Sequence, residues 1–76
     1  MKYRVDFIAV GPRGVSWSEL LDERPTEPLL VRLVEAKHVL LASQIWCTIL
    51  GDWGVVAADN QQAGRFEIKE LPEWPQ

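Results

Sequence analysis

The chain has 76 residues, an apolar share of 47%, a net charge of −3 and a pI near 5.0. That length holds one domain with one modest core, and the apolar share excludes disorder throughout. Eleven acids against eight bases exclude a general electrostatic binder of nucleic acid, which carries a basic surplus.

Lys2 to Val10 alternates, with Tyr3, Val5, Phe7 and Ala9 on one side and Lys2, Arg4 and Asp6 on the other, the pattern of a half-covered strand. Ile8 and Val10 interrupt the polar side, so that end is expected to be covered as well. Gly11-Pro12-Arg13-Gly14 reads as a turn, because Pro presets φ and either Gly accepts a positive one. Arg13 and the turn amides could cradle an anion, although the spacing fits no phosphate loop and a plain connector is the simpler reading.

Ser16-Trp17-Ser18-Glu19 matches a capping box, which predicts a short helix over 17–23 with Trp17, Leu20 and Leu21 as its apolar stripe. Its acids Glu19, Asp22 and Glu23 then complement the helix dipole rather than bind a cation. RPTEP, residues 24–28, ends that element and starts another, with Thr26 as N-cap. Leu29 to Ala42 is rich in helix formers and carries Leu30, Leu33, Val34, Leu40 and Leu41 near helical spacing. The competing reading splits 29–43 into a hairpin, but its loop, Ala36-Lys37, suits a hairpin turn poorly.

IWCTILGDWGVVAA, residues 45–58, places two apolar runs around Gly51-Asp52, a two-residue hairpin loop. Setting Leu50 opposite Trp53 pairs Thr48 with Val55, Trp46 with Ala57, Ile49 with Gly54, Cys47 with Val56 and Ile45 with Ala58. Both faces are mostly apolar, so this hairpin is expected at the centre of the sheet. Val39 to Ala58 is long enough for a membrane span and carries one charge, Asp52, but Ser43, Gln44, Thr48 and the Gly51-Asp52-Trp53-Gly54 break interrupt it, so the hairpin is the reading preferred. DNQQAG, residues 59–64, reads as a longer loop. Arg65 to Leu71 alternates with Phe66 and Ile68 inward and charges outward, which suggests a blunted edge strand. LPEWPQ cannot continue a strand past two prolines.

The fold class expected is α+β: a small four-stranded, mainly antiparallel sheet, in chain order β-α-α-β-β-β, with helices on one face. A mostly-β small barrel or meander is the alternative if 29–43 is a hairpin. Residues 1–71 form the domain and 72–76 an extended tail.

Catalytic signals are weak. His38 and Cys47 are the lone histidine and cysteine. Cys47 lies mid-strand among apolar residues, where a thiolate is disfavoured. One Cys and one His are too few for a zinc site, and no cofactor motif is present. The chain does not point to an enzyme. Four tryptophans do point to contact surfaces. Trp17, Trp46 and Trp53 have core roles in this reading, and Trp46, Trp53 and the tail residue Trp74 are the interface candidates, Trp74 either folding over the sheet or docking into a neighbour. The expectation is a small interaction protein that binds a protein partner or self-associates, most simply as a dimer, with no nucleic-acid or membrane role. The rival is a small-molecule pocket between sheet and helices near Trp46 or Trp53, with Arg13 or His38 supplying polarity. A single cysteine closes no internal disulfide, which fits a reducing, cytoplasmic compartment, and the alternating residues after Met1-Lys2 form no signal peptide.

Overall fold

The computed structural model describes residues 2–42 and 44–72. Its elements run β1 (Lys2–Val10), β2 (Val15–Leu21), α1 (Glu27–Lys37), β3 (Ile45–Ile49), β4 (Trp53–Ala58) and β5 (Gln61–Leu71). The strands form one antiparallel sheet in the order β2-β1-β5-β4-β3. The expected four strands with helices on one face are therefore corrected to five strands and, among the described residues, a single helix.

The first correction is β2, expected as a helix. The Gly11-Pro12-Arg13-Gly14 turn, closed by Gly14 N–H donating to the Gly11 carbonyl at 3.0 Å, returns the chain directly along β1. Pairing with β1 then selects the period-two pattern also present in VSWSELL: Val15, Trp17, Glu19 and Leu21 are half-buried, and Ser16, Ser18 and Leu20 are exposed. Trp17, directly opposite Phe7, stacks on it with ring centroids 4.6 Å apart. The residues of the expected capping box do other work. Ser16 Oγ accepts the Ala9 N–H, and Glu19 accepts the Trp17 indole N–H, both at 3.0 Å.

Opposite Ser16, β1 carries one extra residue, and Ala9 takes φ 53° at this bulge. The bulge shifts the phase of the strand, so Val10 is buried while Ala9 is exposed. That is how the end of β1 becomes covered. A second bulge sits on β5 at Ala63, whose carbonyl accepts the Gly11 N–H at 2.8 Å.

The helix starts at Thr26, whose Oγ1 accepts the Leu29 N–H, and stops at His38, which turns left-handed at φ 57°. It therefore ends well short of Ala42, and no hairpin forms over 29–43. The Glu27 carboxylate accepts the Ile49 N–H of β3 at 2.8 Å, while Lys37 Nζ lies 5.5 Å from the centre of the Trp17 ring on β2. The helix thus crosses one face of the sheet from edge to edge. Its length, about 16 Å for eleven residues, nearly matches the ~19 Å width of five strands. Leu30 and Val34 pack onto Val5, Phe7, Val10, Cys47, Val56, Phe66 and Ile68.

The 45–58 hairpin has the register read from its sequence, and Gly51 takes φ 86° at the turn. Its place in the sheet differs: β3 is an edge, and β5, expected at an edge, is the middle strand. The charges on β5 mark an uncovered face rather than an uncovered edge. The 59–64 loop is also shorter than expected. Asp59 and Asn60, at φ 49° and 71°, close it in two residues, as a type I′ turn requires.

Two glycines of the hairpin serve different ends. Gly51 has open space around it and is needed for its φ; a Cβ on Gly54 would instead strike the Thr48 carbonyl and the Phe66 ring. Gly54→Ala is expected to destabilise the fold by about 1–3 kcal/mol through overpacking, and Gly51→Val by at least about 1 kcal/mol through backbone strain. Urea melts check both. A Gly54→Ala variant as stable as the parent would mean that Phe66 does not close over that position.

Candidate functional site

The helix covers one face of the sheet, and among the described residues nothing covers the other, the open face. Strand alternation puts Ser16, Ser18 and Leu20 of β2, Arg4, Asp6 and Ile8 of β1, Arg65, Glu67 and Lys69 of β5, Trp53, Val55 and Ala57 of β4, and Trp46 and Thr48 of β3 on that open face. Its two halves differ in chemistry.

The β1–β5 half is charged and paired within itself. The Asp6 carboxylate accepts the Ser18 hydroxyl at 2.6 Å, with Lys69 Nζ at 3.4 Å. Arg4 Nε lies 3.1 Å from Asp6, but its N–H is not aimed at the carboxylate, so this contact is coulombic rather than a hydrogen bond. The Ser18 hydroxyl, then Lys69 and Arg4, hold the Asp6 carboxyl below its ordinary range, although partial burial opposes them.

The β3–β4 half is apolar. Trp46 and Trp53 remain 57% and 49% exposed. This corrects the core role expected of them: the helix is a single layer, and no element among the described residues covers the hairpin's second face. Leu50, which lies opposite Trp53, is four positions along the chain from Trp46, so the two indoles stand about 13 Å apart along the ladder. Thr48 and Val55 lie between them. The indoles expose on the order of 200 Å², and Leu50 and Val55 bring the strip toward ~300 Å², the lower end of patches with a function.

The expected pocket residues do not converge. A groove of about 400 Å³ runs between α1 and β3 beside Trp46, lined by Glu27, Val31, Arg32, Glu35 and Cys47 among others. Arg13, exposed in the β1–β2 turn, and His38, exposed at the helix C-cap, do not line it. A larger open hollow of about 660 Å³ lies at the bulged end of the sheet, between Ile8, Leu40, Leu41 and Arg65. Trp74 falls outside the described residues. No group of three or more His, Cys, Asp or Glu side chains among the described residues could hold a metal ion. No helix among them is long and apolar enough to cross a membrane.

Cys47 is buried, and burial, followed by the nearby Glu27 charge, pushes its thiol from 9.0 up to about 12. The folded state therefore holds this proton more tightly than the unfolded chain. The stability linked to it is complete below pH 9 and is lost as the pH rises toward about 12. Cys47→Ala is expected to flatten the decline of stability across that window, read from urea midpoints against pH. Native protein should also resist a thiol reagent that labels it fully in denaturant. Rapid labelling of the folded form would place the thiol at the surface.

Leu20, expected in the apolar stripe of a 17–23 helix, is instead 68% exposed on edge strand β2; the alternation of VSWSELL was the available signal, overridden by the capping-box match. No known protein family, curated protein or solved structure matches this chain.

Proposed function

We propose that this chain is an interaction protein that binds a polypeptide partner through the apolar strip of its open sheet face. One observation carries the reading: Trp46 and Trp53 stand half-exposed at the two ends of a strip whose middle is Thr48 and Val55. Indoles are frequent binding anchors because they bury much area while fixing few torsions. The charged half of the same face supplies a polar rim. Its ion pairs are already made within the chain, so a partner there meets a surface of mixed sign, unsuited to nucleic acid. The lone buried thiol suits a reducing, cytoplasmic setting.

A random-peptide display library tests the proposal. Selection on the native chain is expected to enrich peptides with aromatic or aliphatic anchors. Trp46→Ser with Trp53→Ser should weaken their binding by tenfold or more, about 1.4 kcal/mol. Peptides that bind the doubly substituted chain equally well would sink the proposal.

A further inference from the structure

The sheet has two edges, and the fold treats them differently. At β3 the Glu27 carboxylate takes the Ile49 N–H, and α1 packs beside the strand. At β2 the strand itself has no lysine or proline, no element among the described residues flanks it, and Ser16, Ser18 and Leu20 are all exposed. The hydrogen-bond phase of the sheet shows what this edge offers. Ile68 N–H donates to the Asp52 carbonyl, so even-numbered residues of β5 bond toward β4 and odd-numbered ones toward β1. Carried across β1, the alternation turns the N–H and C=O of Ser16, Ser18 and Leu20 outward.

We propose that two copies of the chain pair through β2, antiparallel about a two-fold axis at Ser18, to make one continuous sheet. This interface is separate from the aromatic strip and goes beyond the function proposed for it. The strand is self-complementary in this register. Ser18 meets Ser18 of the second copy, Ser16 meets Leu20, and Val15 meets Leu21, apolar against apolar. Trp17 meets Glu19, the pair of groups already hydrogen-bonded within one chain. A shift that centred the axis on Glu19 would oppose two like charges, which is destabilising. The ends select the same register. It carries Arg13, at the turn tip, toward Glu23 of the second copy. Within one chain these two exposed residues flank opposite ends of β2, and neither side chain makes a hydrogen bond or ion pair among the described residues. In the same register Asp22, 4.0 Å from its own Lys2, faces Gly14 of the second copy, so Glu23 is the acid set opposite Arg13. The symmetry supplies the Arg13–Glu23 contact twice.

Sedimentation and light scattering test the proposal on the full chain. A mass twice 8.7 kDa is expected at micromolar concentration. Arg13→Glu and Glu23→Arg, each reversing two symmetric contacts, should weaken association about tenfold or more. The double variant Arg13→Glu/Glu23→Arg should restore it. Oxidation gives a second reading that does not depend on charge. Ser18→Cys should cross-link as a disulfide dimer, because facing residues on the axis lie within disulfide reach. Leu20→Cys should not, because its copies would be about 13 Å apart. Cys47 does not compete, being buried. A monomer up to about 1 mM, the weak end of specific association, overturns the proposal. So does a dimer that survives both single reversals, or one in which Leu20→Cys cross-links as readily as Ser18→Cys. A dimer lost in Trp46→Ser/Trp53→Ser but kept in Arg13→Glu assigns self-association to the open face and equally overturns it.

Discussion

One eleven-residue helix has to cover a five-stranded sheet, and it has only one face to give. Leu30 and Val34 are its fully buried residues, so the rest of the core comes from the inward side chains of the strands. A sheet covered on one side must keep its other side compatible with water or with a partner. The inward and outward residues are sorted along this condition, from Phe66 and Ile68 against Glu67 and Lys69 on β5 to Val5 and Phe7 against Arg4 and Asp6 on β1. The β3–β4 half of the open face departs from it: apolar residues stand there on the side the helix does not reach.

The parts legible in the sequence are those in which local signals agree. In the 45–58 hairpin, β-forming residues, a turn glycine and cross-strand pairing all select one register, and the structure has it. The existence of β1 follows from its alternation over Lys2 to Phe7, and the start of α1 from Thr26. For β2 the signals conflict. SWSE satisfies a local capping rule, yet the same residues alternate, and only the distant partner β1 decides between the two. Even there the outcome has a local trace, because the turn closed by Gly11 and Gly14 returns the chain directly along β1.

Strand order was not legible, for a different reason. Alternation on β5 reports that one face is wet; it carries no information on whether a neighbour lies on either side. A charged outward face is shared by edge strands and by central strands of a one-sided sheet. The pairing of β5 with both β1 and β4 joins the two hairpins of the chain, and neither hairpin contains the information alone. The candidate surfaces inherit this. Trp46 and Trp53 could be picked out by type, but their exposure depends on which hairpin face α1 covers. Arg13 could be picked out as a lone turn cation, but the counter-charge proposed for it depends on β2 being an edge strand.

The two edges show how a small chain divides its unpaired backbone. The β3 edge is occupied by Glu27, a first-turn helix acid whose dipole-favoured place also lets it accept a strand N–H. That contact requires the helix to begin beside β3, which Arg24 reinforces by donating to the Gly51 carbonyl at 2.8 Å. A helix anchored there and running toward Trp17 lies over the sheet as it reaches β2. It packs on the face at that side and does not flank the edge. Covering the β3 edge and leaving the β2 edge open are thus consequences of one placement of α1. The interaction surfaces proposed for this chain, one on the open face and one on the open edge, follow from where that helix begins.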